Sequence, residues 1–215
     1  MDNPRYQIKY YGNIDSLNVF IQPIDEHDES LMNNELSFLK ELSNSDDFLI
    51  ITILINDWNK ELTPWENDQV IGKERFGRDA SKTLDFILTN LIKDQTKNYF
   101  LCGYSLAGLF SLWCGYQTNV FAGIVSASGS LWYPGWIEYI KDKEIKTKNV
   151  YLSLGDKEHL TKNPIMSKVK DNMMYQYDLL LKQNISVFVE YNPGNHFMDS
   201  DKRIAKGMNW LLKRI

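Results

Sequence analysis

Apolar positions in this chain fall into short runs separated by amphipathic stretches of helical period. The run Phe48–Ile55 (FLIITILI) is almost wholly apolar and β-branched, the pattern of a strand buried on both faces in a parallel sheet. Tyr99–Cys102, Gly123–Val125, Val150–Leu154 and Val187–Glu190 read as further strands. Val19–Ile21 is another, and Pro23 is expected to stop it. Tyr6–Tyr11 alternates and reads as a strand ending in a Gly12-Asn13 turn. Leu31–Leu42 carries Leu31, Leu36, Leu39 and Leu42 at helical spacing. Ala80–Ile92, the stretch from Leu106, Ile165–Leu181 and Ile204–Leu212 read as further helices, with a short one over Trp136–Tyr139. Asp25–Ser30 reads as an acidic loop. Asn56–Arg78 is long, polar and aromatic, with Pro64, Gly72 and Gly77, and loops of that length often carry function. Strands alternating with helices predict an open, mostly parallel α/β sheet covered by helices on both faces. The whole chain, 1–215, reads as one domain with no inserted cap. In such sheets chemistry gathers beyond the carboxyl ends of the strands.

The junction of one strand with its helix stands out. Tyr99–Ser111 reads YFLCGYSLAGLFS: an apolar run into Gly103, a serine at Ser105, then small residues at Ala107 and Gly108 before the helical pattern. A buried strand turning sharply into a buried helix around a serine is the setting of a nucleophile elbow. Small side chains must flank the serine because the backbone there is tight. Gly103 fills the position two before it. Ala107 stands two after it, where glycine is commoner, so the motif is G-x-S-x-A. An ordinary turn serine would need none of this context.

A serine hydroxyl is a weak nucleophile unless a base takes its proton, and imidazole does so near neutral pH. Three histidines are present, His27, His159 and His196. His196 follows the last predicted strand, in a Pro-Gly-Asn loop, and is the candidate base. His27 and His159 read as solvated loop residues. The acid that orients the imidazole is sought in LSLGDKEH, after the strand Val150–Leu154. Glu158 lies further beyond the strand tip and is preferred. Asp156 is expected to brace the loop but stays an alternative, as does a Ser–His dyad with no acid. An oxyanion hole needs two fixed N–H donors. The N–H of Leu106, just after the serine, is one. The loop after an earlier strand, Pro23–Glu26, would supply the other, with the Asp25 backbone as candidate.

Composition narrows the partners. Lys and Arg total 24 against 28 Asp and Glu, giving a net charge of −4 with the signs interspersed, so no basic surface for nucleic acid is expected. No run reaches the length of a membrane span, and the first residues, MDNPRYQIKYYG, hold no apolar signal-type core. A cytoplasmic protein with buried free thiols at Cys102 and Cys114 is expected. No cofactor and no metal is expected. Neither a nucleic-acid nor a membrane partner is expected, which leaves a small molecule, and the oligomeric state stays open.

Five stretches carry a resemblance: NDWNKELTPW (Asn56–Trp65), GYSLAGLF (Gly103–Phe110), SASGSLWYPGW (Ser126–Trp136), LSLGDKEHLTKNPIM (Leu152–Met166) and NPGNHFMDSDKRIAKGMNWLL (Asn192–Leu212). The chain resembles the esterase branch of the α/β-hydrolases, which includes enterobactin-type siderophore esterases, S-formylglutathione hydrolase and feruloyl esterases. The resemblance implies a serine hydrolase with Ser105 as nucleophile and His196 as base, acting on a siderophore-like or aromatic acyl ester. It leaves the acid and the substrate open. A catalytically inactive binding module, an acyltransferase and a peptidase are alternatives on the same fold. Trp58, Trp65, Phe76, Trp132, Tyr133 and Trp136 lie in predicted loops, where they either wall a substrate pocket, Trp58 and Trp132 foremost, or cover the core. Arg75 and Arg78 either grip an anionic substrate or pair with nearby acids.

Overall fold

The computed structural model describes residues 6–68, 70, 72 and 74–214. The reading of the N-terminal stretch bears partly on residues 1–5, and that of the long loop partly on 69, 71 and 73, which lie outside the described residues. Among the described residues nine strands are formed: β1 (Gln7–Gly12), β2 (Asn18–Ile24), β3 (Leu49–Leu54), β4 (Asn67–Asp68), β5 (Arg75–Phe76), β6 (Asn98–Tyr104), β7 (Phe121–Ala127), β8 (Asn149–Gly155) and β9 (Ser186–Asn192). Seven of them make one sheet in the order β1-β3-β2-β6-β7-β8-β9, and β4 and β5 pair as a separate short ribbon. β1 runs antiparallel to β3, and every other neighbour in the large sheet is parallel.

The helices are α1 (Glu26–Ser43), α2 (Trp58–Glu61), α3 (Ala80–Asn90), α4 (Leu106–Gln117), α5 (Trp136–Ile140), α6 (Val169–Lys182) and α7 (Ser200–Leu212). Because both sheet faces are covered, the apolar runs divide by alternation. Leu49, Ile51 and Ile53 of β3, with Tyr99 and Leu101 of β6, join the core shared with α3, α4 and α6. Ile50, Phe100 and Cys102 point the other way, into the core shared with α1 and α7. A continuous run such as FLIITILI is therefore a strand with two dry faces.

Three expectations are corrected. Asp25–Ser30 is not a loop. Asp25 is the N-cap of α1, its carboxylate accepting from the Asp28 N–H at 2.8 Å, and the acids after it fill the first turn. Acidic residues are favoured there by the helix dipole, so a run that looks like a solvated loop is a helix start. Pro23 does not stop β2, which continues to Ile24. Pairing of β2 with β6 ends at Ile21 while pairing with β3 goes on, so the missing N–H costs no ladder bond. The long loop 56–78 contains α2 and the β4–β5 ribbon.

The topology places the site. The connection leaving β2 carries α1 over one face, and the connection leaving adjacent β6 carries α4 over the other. Such divergence opens a crevice beyond the carboxyl ends of the two strands. No helix among the described residues is long and apolar enough to cross a membrane.

Candidate active site

Ser105 occupies the single residue between β6 and α4, with φ 55° and ψ −121°. A non-glycine residue there is strained, at a cost of roughly 1–3 kcal/mol that the surroundings must offset. They do so with two backbone bonds. The Ser105 N–H donates to the Ala127 carbonyl at 3.1 Å, and the Ser130 N–H donates to the Ser105 carbonyl at 2.9 Å. Gly103 is required because a Cβ there would lie 2.2 Å from the Ala107 carbonyl oxygen. Gly108, one position later than the usual motif glycine, lets α4 pack on the turn after β7. A Cβ there would come within 2.9 Å of the Gly129 Cα.

His196 follows β9 in a loop held from several sides. Asp156 ties that loop to the end of β8: its N–H donates to the Asn192 carbonyl at 2.8 Å, and its carboxylate accepts from the Gly194 N–H at 2.8 Å. The Tyr104 hydroxyl donates to the His196 carbonyl at 2.6 Å. These bonds bring the His196 Nε2 to 3.0 Å from the Ser105 Oγ. The Nδ1 on the far side of the ring lies 2.8 Å from the Glu158 Oε2. Glu158 opens a 3-10 turn, Glu158–Leu160, beyond the tip of β8.

The Glu158 carboxylate is 4% exposed, and its other oxygen accepts from the Gly155 N–H at 2.6 Å, the Ser128 Oγ at 2.7 Å and the Arg203 Nη1 at 2.9 Å. Burial alone would raise this carboxyl. The hydrogen bonds from His196, Ser128 and Gly155, with the His196 charge, hold it below its ordinary value. Arg203 was not found by sequence reading. It is 1% exposed, and its Nη2 also donates to the carbonyls of Pro193 at 3.2 Å and Asn195 at 3.0 Å. One guanidinium thus fixes the Glu158 turn and the His196 loop together. The helical apolar pattern starts at Ile204, and nothing in the sequence marks the residue before it. Ser128, at φ 45° in the turn after β7, was likewise missed.

Two N–H groups point to a second function of the elbow. Leu106 is the first residue of α4, so its N–H has no helical partner. The Asp25 N–H, between β2 and α1, donates to no described group. The Ile24 carbonyl accepts from Ile55 beside β3, so the next peptide N–H faces the β6 side, where Ser105 sits.

No family model matches the sequence and no curated protein matches it. Solved structures do match in three dimensions. The siderophore hydrolase EstA from Aspergillus nidulans aligns with a TM-score of 0.71 over 97% of this chain and 90% of its own, at 16% identity. The enterobactin esterase FES from Shigella flexneri aligns with a TM-score of 0.72 over 97% of this chain, at 15% identity, and the match covers 55% of that longer protein. A carboxylesterase from Bacillus cereus aligns with a TM-score of 0.64 over 99% of this chain and 96% of its own, at 14% identity. The chain has the α/β-hydrolase fold.

On this α/β-hydrolase fold two cavities adjoin the histidine, and Ser105 lines the first of them. The first, about 420 Å³, is lined by Asp25, His27, Asp28, Trp58, Tyr104 and Ser105. The second, about 270 Å³, is lined chiefly by Trp132, Leu160, Met166 and Val169. His196 and Phe197 line both. His27, read as a solvated loop residue, is therefore a helical residue on the cavity wall, placed there because α1 begins at the crevice. His159 sits in the 3-10 turn rather than a loop. The aromatic residues divide. Trp58 and Trp132 line the two cavities beside His196, Trp132 from the edge of the core, while Phe76, Tyr133 and Trp136 line neither and are 3%, 1% and 0% exposed in the core. Trp65 is locked to that group by its indole N–H, which donates to the Pro134 carbonyl at 2.8 Å. Arg75 and Arg78 lie at the exposed surface, within 4.0 Å of Asp68 and 3.4 Å of Glu66.

Proposed function

We propose that this chain is a serine hydrolase of carboxylic esters, in which Ser105 is the nucleophile, His196 the general base and Glu158 the acid that orients it. The observation that carries the reading is the relay of hydrogen bonds from Ser105 Oγ to His196 Nε2 at 3.0 Å and from His196 Nδ1 to Glu158 Oε2 at 2.8 Å, on a strained elbow whose serine lines a cavity. Ser105 Oγ attacks the ester carbonyl carbon while its proton passes to His196 Nε2. The Glu158 carboxylate steadies the imidazolium. The Leu106 and Asp25 N–H groups receive the developing oxyanion. The tetrahedral intermediate expels the alcohol, which takes the proton back from His196 and leaves an acyl ester on Ser105. Water, deprotonated by His196, then releases the acid and restores the serine.

Similarity to siderophore esterases, and the mixed aromatic lining of the cavities, support a siderophore-like or aromatic acyl ester as the substrate. Fluorophosphonate labelling tests the mechanism. The wild type should be labelled at Ser105 and should hydrolyse p-nitrophenyl esters. Ser105→Ala should take no label and lose at least about 10³-fold in kcat, and His196→Ala should lose a similar amount, the double variant little more, because such residues act as a unit. Hydrolysis by Ser105→Ala at the wild-type rate would sink the proposal.

A further inference from the structure

The two cavities beside His196 differ in chemistry, and the larger is the one lined by Ser105. The smaller one presents Trp132, Leu160, Met166 and Val169, with Lys157 among its lining residues, and suits an apolar or aromatic group. The larger one combines carboxylates and rings. Asp25 and Asp28 line it together with Trp58, Tyr104 and Phe197, and no lysine or arginine is among its lining residues.

Asp28 is the distinctive group. The Asp25 carboxylate is engaged in capping α1, accepting from the Asp28 N–H at 2.8 Å. Ser200, at the start of α7, also lines the cavity. The groups that act on Asp28 come from both helices packed there. Asp25 and His27 belong to the start of α1, and Ser200 and Asp201 to the start of α7. Burial first, and the Asp25 charge next, push its carboxyl up to about 7. The fold therefore keeps a half-buried acid in the wall of the cavity that holds the serine, with no lysine or arginine among the residues of that wall. A carboxylate in that state gains from an incoming positive charge and repels a negative one. Aromatic rings beside it add the attraction of their faces for a cation, which is largest for desolvated ammonium groups.

We infer that the ester taken by this site carries a quaternary or otherwise cationic ammonium on the arm that enters the Asp28 cavity, while an anionic arm there is refused. This rests on the reading of the chain as an ester hydrolase and narrows its substrate class.

The probes are three benzoate esters of similar size: those of choline, of 3,3-dimethylbutan-1-ol, which is the uncharged isostere of choline, and of 3-hydroxypropanoate. Binding is measured by titration calorimetry on Ser105→Ala protein at pH 8, and turnover on the wild type. The choline ester should bind at least about tenfold more tightly than the isostere, and the carboxylate ester more weakly than both. In Ser105→Ala carrying Asp28→Asn as well, the choline-to-isostere ratio should fall to within about threefold. That ratio is internal to each variant, so a general loss of affinity does not imitate it. Trp58→Leu should lower the same ratio with the acid still in place. Equal binding of the three esters, tighter binding of the anionic one, no binding of the choline ester, or a ratio unmoved by Asp28→Asn would each overturn the inference. Tight, Asp28-dependent binding of a choline ester that the wild type does not hydrolyse would instead overturn the hydrolase reading and leave the ammonium subsite standing.

Discussion

Replacing Arg203 by methionine tests how the site is held together. The guanidinium is 1% exposed and donates to the Glu158 carboxylate at 2.9 Å, to the Ser128 Oγ at 2.8 Å and to the carbonyls of Pro193 and Asn195. Methionine fills much of the same space but returns none of these donors. It leaves the Glu158 charge buried without its counter-charge and two carbonyls short of a partner. Breaking a buried pair from one side costs about 3–5 kcal/mol, which for a chain of this size lowers Tm by roughly 6–20 °C. The companion substitution Glu158→Gln removes the charge that Arg203 neutralises. In the Arg203→Met background it should therefore cost much less than in the wild type, giving a coupling above about 1 kcal/mol in urea denaturation. The pH dependence carries a sign. The native Glu158 carboxyl lies below its unfolded value, so its contribution is fully present above the ordinary carboxylate range and is lost as the pH falls through the native value. Losing Arg203 moves the native value upward and flattens that acid limb. Ester hydrolysis should fall together with stability, because the carbonyls that Arg203 holds flank His196. Additive losses within about 0.5 kcal/mol, with the acid limb unchanged, would refute the reasoning.

Glu158→Gln should reduce kcat for a p-nitrophenyl ester by several orders of magnitude, as loss of the orienting acid does in serine proteases at about 10⁴. Asp156→Asn, which touches only the loop brace, should reduce kcat by less than about tenfold, and KM should be similar in both; the reverse ranking would transfer the role to Asp156. Glu35, buried in α1 and accepting from the Gln22 Nε2 at 3.1 Å, has its carboxyl raised to about 8, chiefly by burial. Its native value lies above the unfolded one, so the stability it supports is full at acid pH and is lost as the pH rises toward 8. Glu35→Gln should flatten that decline, and an unchanged slope of urea stability between pH 5 and 8 would show that Glu35 is ionised in the fold.

Local sequence determined much of this protein. FLIITILI could only be a strand with two dry faces, because alternation sends neighbouring residues into opposite cores, whereas Val187–Glu190 forms the sheet edge and leaves Phe188 43% exposed. Gly103, Ser105 and Ala107 were legible as a strained turn because small residues on both sides of a serine answer a steric demand made within a few residues of chain. His196 and Glu158 were legible by their position after strand ends, since parallel topology collects those ends on one edge. Only the tertiary structure decided the rest. Whether acids at Asp25–Ser30 make a loop or a helix start depends on where α1 docks beside β2, and that docking also puts His27 and Asp28 on the cavity wall. Pro23 stays in its strand because the neighbouring strand has already ended its pairing there, a matter of register between segments far apart in sequence. Arg203 and Ser128 serve Glu158 across separations of 45 and 30 residues, with no local pattern to announce them. A buried charge draws its partners from whichever elements packing brings around it, and that choice is made by the whole fold rather than by any one stretch of chain.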